Sequence, residues 1–276
     1  MDVVTTHGAT IPKIGFGTFP LKGDDARRMV GYALKAGYRH IDTAQMYGNE
    51  AEVGEAIAHA GLGRDEVFLT TKVWPDNYGD GPLQKSVEES LTKLRVDAVD
   101  LLLLHWPKFE RPIAETVAAL NAVHDAGLAR HIGVSNFTTA LIEQAWSTTK
   151  APLINDQVEY HPYLNQGPVL GAVRKRAMSL TAYMPNARGQ VFEDETLGAI
   201  GTRHGKTAGQ VALRWLYQQD GVIAIPRTAS EAHADENIDV LDFALSDQEM
   251  TAVFAIARPD GRLLSPPWIA PEWDPA

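Results

Sequence analysis

The sequence predicts an α/β fold, a closed (β/α)8 barrel of eight parallel strands, on three observations. Strand-like apolar runs alternate with amphipathic helices along nearly the whole 276-residue chain, and strict alternation over about 250 residues favours a barrel. Several strands, such as Leu101–Leu104 and Val222–Ile225, are continuous apolar runs, as strands covered on both faces are. Polar residues recur at the C-terminal strand ends: Asp42, Lys72, His105, Ser135-Asn136, Asn155-Asp156-Gln157 and Tyr183. Barrel enzymes carry their sites on that rim, so the recurrence favours a barrel over the alternative, a doubly wound open sheet.

Taken in order, Val3–Thr6, the turn His7-Gly8-Ala9-Thr10 and Ile11–Ile14 read as a short hairpin. Ile14–Thr18, apolar and glycine-rich, opens the alternation. Asp24–Ala36 has helical spacing, with Ala26, Met29, Val30 and Ala33 on one face and Asp24 placed to cap it. Tyr38–Asp42 is a strand, Asn49–Ala60 a helix and Val67–Lys72 a strand. Pro82–Leu94 is a helix with proline in its first turn, where a missing N–H breaks no helical bond. Val99–His105 is a strand, and Ile113–Ala126 a helix ended by Gly127. The remaining strands are Ala129–Ser135, Leu153–Val158, Ser179–Tyr183 and Val222–Pro226. The helices among and after them are Thr138–Ser147, Pro168–Arg176, Glu193–His204, Thr207–Gln218 and Glu231–Val240. Ser246-Asp247-Gln248-Glu249 has the pattern of a capping box opening Asp247–Ala257. The tail Arg258–Ala276 is rich in Pro and Trp and has no period.

Composition sets outer bounds. With 45% hydrophobic residues and no Ser/Gly/Pro-rich linker, residues 1–276 read as a single domain with one large core. A formal charge of −10 argues against a nucleic-acid or anionic-membrane surface. No cysteine is present, which excludes disulfides, thiol catalysis and Cys-based metal sites and fits a reducing, cytoplasmic setting. The N-terminus lacks a basic segment followed by an apolar one, so no secretory signal is expected. The most apolar run, Ala98–Leu104, is far too short to span a bilayer.

Four residues at or just past strand ends can handle a proton: Asp42, Tyr47, Lys72 and His105. Singly, each has a plainer reading: a turn cap, a packed phenol, a solvated amine, a core histidine. Together they read differently, because a closed barrel brings the ends of its second, third and fourth strands side by side. The Lys72 ammonium would stabilise a Tyr47 phenolate and lower its pKa, Asp42 would hold the lysine, and His105 could donate to a carbonyl oxygen. Such a set protonates an oxygen as a carbonyl becomes an alcohol. No side chain supplies the hydride this requires, so a nicotinamide cofactor is implied.

A series of motifs follows along the chain: Gly15-Phe16-Gly17-Thr18-Phe19; Tyr38 through Ala44; Tyr47-Gly48-Asn49-Glu50; Thr70 through Trp74; Asp100 through Pro107; Ile132 through Phe137; Gln157 through Pro162; and Ile225-Pro226-Arg227 through Glu236-Asn237. In this order they resemble the aldo-keto reductase family essentially end to end. The tail, with Arg262 through Pro266 and Ala270 through Asp274, is most similar to the 2,5-diketo-D-gluconate and methylglyoxal reductase branch. The resemblance implies a TIM barrel closed at its bottom by the N-terminal hairpin, with the C-terminal tail over the active-site rim. It implies catalytic roles for Asp42, Tyr47, Lys72 and His105, with Tyr47 the proton donor. Ser135, Asn136 and Gln157 would hold the nicotinamide carboxamide and Tyr183 would stack on the ring. Thr18, Phe19 and Asp42 would lie by the cofactor, with Glu236 and Asn237 further along it. Phe19, Tyr47, Trp74, His105 and Trp106 would line the pocket of a small carbonyl substrate, although core packing is the plainer role for both tryptophans. A monomer is the implied oligomeric state.

The sequence departs from the family pattern twice. Where most members continue Ser-Pro-Leu-Gly after the tyrosine, this chain reads Met184-Pro185-Asn186-Ala187-Arg188-Gly189, and Asn186 or Arg188 would replace contacts to the pyrophosphate. The usual Lys, Ser and Arg for a 2′-phosphate are here Arg227, Thr228 and His233. Arg227 keeps a fixed charge with bidentate geometry, whereas a histidine is mostly neutral at pH 7. NADPH is therefore expected to be preferred, less strongly than usual, with NADH usable. The Gly-x-Gly-x-x-Gly of a Rossmann unit is missing, so the cofactor belongs on a barrel rim. No histidine spacing supports a metal site. Two rivals are a non-catalytic cofactor-binding sensor and a hydrolase or isomerase using Asp42 and Glu159 as paired acids. The short loop Pro107–Pro112 suggests an open substrate mouth.

Overall fold

A computed structural model of the chain describes residues 2–108 and 112–275, and element counts refer to those residues. The substrate-mouth loop expected at Pro107–Pro112 falls partly outside them, at 109–111.

The hairpin forms, with its turn tightened from the expected His7–Thr10 to His7-Gly8 and its second strand at Ala9–Pro12 in place of Ile11–Ile14. β1 (Val3–Thr6) pairs antiparallel with β2 (Ala9–Pro12), and His7 and Gly8 both take positive φ, 43° and 85°, as a two-residue hairpin turn demands. Eight parallel strands follow: β3 (Phe16–Gly17), β4 (His40–Asp42), β5 (Phe68–Val73), β6 (Val99–Leu104), β7 (Ala129–Ser135), β8 (Leu153–Glu159), β9 (Ser179–Tyr183) and β10 (Val222–Ala224). They are hydrogen-bonded in sequence order from β3 to β10. The two ends of this sheet meet. Gly15 N–H donates to Ala224 O at 2.8 Å, Ala224 N–H to Lys13 O at 2.8 Å, and Gly17 N–H to Pro226 O at 3.0 Å. The sheet is therefore closed, which decides against the doubly wound alternative, and the architecture is a TIM barrel.

The outer layer comprises α1 (Gly23–Lys35), α2 (Glu50–His59), α3 (Pro82–Leu94), α4 (Ile113–Asp125), α5 (Thr139–Thr148), α6 (Gly167–Arg174), α7 (Glu195–His204), α8 (Ala208–Gln218), α9 (Glu231–Ile238) and α10 (Asp247–Phe254). One cap differs from expectation. α1 starts behind an extended Lys22, and Asp24 sits in its first turn paired with Arg27. The box at Ser246 forms: its hydroxyl accepts from Glu249 N–H while Glu249 accepts from Ser246 N–H.

The run of leucines in β6 splits by strand period. Leu101 and Leu103 turn inward and pack with Ile154, Ile223 and, from the hairpin, Val4, Ala9 and Ile11. Leu102 and Leu104 turn outward into the cluster shared with the helices. The hairpin thus plugs the barrel's N-terminal end. It is tied there by Thr6 Oγ1 to Ala177 O, 2.5 Å, and by Lys13 Nζ to Tyr217 O, 2.6 Å. With that end sealed, the strands' C-terminal ends are left to form the site. No described helix is long and apolar enough to cross a membrane.

Candidate active site

β4 ends on Asp42, Lys72 stands one residue before the end of β5, and His105 follows the last residue of β6. Parallel pairing of these neighbours brings the three side chains together. Tyr47 arrives on the 3-10 turn Gln45–Tyr47, closed by Gly48 in left-handed backbone with φ 60°. Lys72 is wholly buried, and its Nζ donates to Asp42 Oδ1 at 2.6 Å, Thr43 O at 2.8 Å and the Tyr47 hydroxyl at 3.2 Å. All three ammonium donors are then used. Because the phenolic oxygen accepts from Lys72, its own proton is free for a partner in the cavity. Asp42 accepts a second bond, from Gln157 Nε2 at 2.7 Å.

The expected lowering of the Tyr47 pKa is not what the structure gives. Burial, with a smaller contribution from the Asp42 carboxylate, pushes the phenol well above its ordinary range. The reason is that Asp42 already compensates the ammonium, while the aromatic surroundings desolvate the phenolate. Tyr47 thus carries its proton at neutral pH, as a donor must. Burial likewise depresses Lys72, against the pull of Asp42. Burial, and then the Lys72 charge, hold His105 well below the usual imidazole range, so it is neutral. Its Nδ1 is buried without a partner among the described residues. A lone pair tolerates that better than an N–H does, so Nε2 carries the proton. The imidazole stands edge-on to Tyr47 (5.6 Å between ring centres) and to Trp74 (5.3 Å).

Asp42, Tyr47, Trp74 and His105 line a cavity of about 790 Å3, within the size range of small-molecule sites, and Lys72 is buried behind them without bordering it. Thr18, Phe19, Asp42, Tyr47, Trp74, His105, Trp106, Ser135, Asn136, Gln157, Tyr183 and Arg227 all border it. Trp106 is 5% exposed and packed on Trp273 while bordering the cavity. Thr228, His233, Glu236 and Asn237 are not among the bordering residues. Thr228 accepts from Ser230 N–H, and Glu236 from the Thr207 hydroxyl at 2.6 Å. His233 lies exposed near the start of α9, beyond Arg227.

Sequence reasoning missed Met46, Phe192, Ile225 and Pro226 as wall residues, and it left unplaced Leu264, Pro266, Trp268 and Ile269 of the tail. Met46 sits one residue before Tyr47, a proximity that could have flagged it. Phe192 carries no such signal. The paired-acid rival loses its basis: Asp42 is held by Lys72 and Gln157, and Glu159 by Leu263 and Leu264 N–H groups and His161.

The residues on one side of the cavity suit a nicotinamide dinucleotide. Gln157 gives its amide N–H to Asp42 and keeps its carbonyl oxygen for an external donor. Ser135 donates to Gln157 O at 2.7 Å and keeps acceptor capacity. Asn136 is more committed than expected. Its Nδ2 donates to His105 O and Ser135 Oγ, and its Oδ1 accepts from the Tyr183 hydroxyl at 2.7 Å. Beyond the Tyr183 ring, Met184, Ala187, Arg188 and Gly189 all have positive φ, and Asn186 Oδ1 is buried without a partner among the described residues. Gly17 admits close approach of the backbone, since a Cβ there would lie 2.9 Å from Ile225 O. Arg227 adds an exposed cation at the cavity edge. The described residues hold no cluster suited to a metal ion.

Comparison with known proteins agrees with this geometry. The model of the aldo/keto reductase family matches residues 13–258. The methylglyoxal reductase DkgB of Escherichia coli O157:H7 is 40% identical over 267 residues, spanning 96% of this chain and 99% of that protein. A crystal structure of a protein assigned as a 2,5-diketo-D-gluconic acid reductase B superposes with a TM-score of 0.98 at 55% identity, covering 99% of this chain and 98% of that one. The Bombyx mori aldo-keto reductase, solved in complex with NADP, superposes with a TM-score of 0.85 at 34% identity over 91% of this chain and 90% of its own.

Proposed function

Because the chain belongs to the aldo/keto reductase family, it is a nicotinamide-dependent carbonyl reductase, and we propose that its substrates are small 2-oxoaldehydes such as methylglyoxal. We propose further that NADPH is preferred over NADH, and that the protein is a cytoplasmic monomer, a setting a cysteine-free chain suits.

When bound, the reduced nicotinamide supplies a hydride for the carbonyl carbon. The protein's own residues do the rest. The carbonyl oxygen lies between the Tyr47 hydroxyl and His105 Nε2–H, two donors aimed where negative charge develops. Tyr47 transfers its proton to that oxygen as the hydride reaches carbon, so the carbonyl becomes an alcohol with charge balanced. The phenolate left on Tyr47 is stabilised by the Lys72 ammonium, and Asp42 keeps that ammonium in place. Trp74, Trp106 and Phe19 exclude water from the reacting centre. The observation that carries this reading is the single relay Asp42–Lys72–Tyr47, with contacts of 2.6 Å and 3.2 Å. Wall residues that are largely aromatic and apolar support an uncharged substrate. A second reading, reduction of diketo sugar acids, is favoured by the 55% identity to the diketogluconic acid reductase structure.

Loss of NADPH absorbance on addition of methylglyoxal tests the reaction. Tyr47→Phe should lower kcat/KM by about 10²–10⁴, the usual weight of general-acid help, while the Kd for NADPH changes less than about twofold. Absence of NADPH oxidation across a carbonyl panel would refute the reading, as would a Tyr47→Phe enzyme with wild-type turnover.

A further inference from the structure

The tail after α10 has no strand or helix of its own, yet Leu264, Pro266, Trp268 and Ile269 form one wall of the active cavity. Trp268 is 61% exposed and reaches the Trp74 ring at 6.2 Å. Something must hold so aperiodic a segment over the rim. Arg258 N–H donates to Tyr163 O at 3.1 Å, and Asp274 accepts from Thr139 N–H at 2.9 Å and Thr139 Oγ1 at 2.6 Å. Both holds lie away from the wall. Beside the wall, where Trp268 meets Trp74 and Trp273 meets Trp106, stands Glu159, the last residue of β8, whose side chain is fully buried. Glu159 Oε1 accepts from Leu263 N–H at 2.6 Å and from His161 Nε2 at 2.9 Å, and Oε2 accepts from Leu264 N–H at 2.9 Å.

A buried carboxylate is costly unless hydrogen-bonded. Two of its three donors here are backbone amides of the tail. The charge is fully satisfied only when the tail is docked, so the cost of leaving this carboxylate buried without its amide donors favours the docked tail. The third donor, His161, is itself fully buried and has no partner at Nδ1 among the described residues, so its side-chain hydrogen bonding there goes to Glu159, while its ring packs on Tyr163. Two residues earlier on the same strand, Gln157 bonds Asp42 at 2.7 Å. One strand end therefore fixes both the catalytic carboxylate and the substrate wall.

We infer that Glu159 is a positioning residue for specificity: its carboxylate locks Leu263 and Leu264, and through them the wall that grips whatever part of a substrate lies beyond its carbonyl. The inference rests on the carbonyl-reductase reading. Methylglyoxal reaches little past Tyr47 and His105, whereas an aryl aldehyde must lean on Leu264 and Trp268.

The test is Glu159→Gln, which removes the charge and offers one acceptor where there were two. KM for 4-nitrobenzaldehyde should rise tenfold or more, the weight of losing one charge-assisted hydrogen bond. KM and kcat for methylglyoxal should stay within about threefold, and the Kd for NADPH within about twofold. A rise shared equally by both substrates, or none for either, would overturn the inference. A second measurement needs no variant. Hydrogen exchange on the wild-type chain should find the Leu263 and Leu264 amides the slowest between residues 259 and 275, and exchange as fast as at exposed tail amides would overturn the lock. A wild-type chain inert towards both aldehydes would instead refute the reductase reading, leaving exchange to decide the lock.

Discussion

Lys72 is the residue on which the proposed chemistry turns, since an ammonium with three donors meets three acceptors and none is spare. That saturation fixes the direction of the phenol's proton, which no list of residue types could. Asp42, Lys72 and His105 were legible because each ends an apolar run abruptly, and a polar group there must face a rim. Glu159 was legible only as a motif residue and as one of the paired acids of a rival reading, just past the predicted strand end at Val158. Its partners are backbone amides, which carry no side-chain signature. The cofactor end is governed by side-chain identity in the same direct way. Arg227 is a permanent cation at the cavity edge, whereas His233 is exposed and lacks the fixed charge of an arginine. His233→Arg should tighten NADPH about fivefold to tenfold, the weight of an added charged contact to phosphate, and leave NADH within about twofold. Titrating the two cofactors against wild type and variant checks this, and equal tightening of both would show that the residue does not sense the 2′-phosphate.

Among the elements, helices and strands emerged close to their predicted bounds because their periods are strong, whereas the tail and the segment from Ala187 to Glu193 obey local geometry with no period to read. The segment before α7 was expected to be helical from Glu193. It is instead a kinked 3-10 stretch with Arg188 at φ 55° and Gly189 at φ 94°, and the helix starts at Glu195 behind Asp194, whose side chain accepts from Leu197 N–H. Glycines inside helices show how packing overrides propensity. Gly31 in α1 has open space where a Cβ would go, whereas at Gly54 in α2 a Cβ would sit 2.5 Å from the carbonyl carbon and oxygen of Leu94, at the end of α3. Backbone atoms cannot move aside cheaply. Gly31→Ala should therefore stabilise by up to about 1 kcal/mol through helix propensity. Gly54→Ala should instead destabilise by about 1–3 kcal/mol, the usual cost of overpacking. Denaturant midpoints of the two variants measure this, and a shared sign would contradict it.

At the scale of the molecule, the closed barrel sorts polar groups by end. The rim gathers donors around a cavity, while the sealed interior near the hairpin holds His40 buried, with Nε2 3.2 Å from Thr70 Oγ1 and its ring edge-on to Phe68. Burial there lowers its pKa to about 4, the Asp42 charge opposing only in part. The unfolded chain regains a pKa near 6.5. Between those values the unfolded state binds more protons than the folded one, so this residue's contribution to stability falls as pH drops through the window and is unchanged above it. At about 1.4 kcal/mol for each unit of difference, the full loss is on the order of 3 kcal/mol. His105, also depressed, acts in the same direction, whereas Glu50 and Asp156, raised by burial, hold protons in the fold and act against it. The whole-protein curve is therefore a difference of opposing contributions, and a variant that cannot titrate isolates one of them. His40→Gln keeps a polar group near Thr70 without a proton to gain. Its stability gap to wild type, from urea unfolding at pH 7, 5 and 4, should shrink by roughly 3 kcal/mol across that range. Parallel curves would mean that the imidazole keeps its ordinary basicity inside the barrel, contrary to its burial.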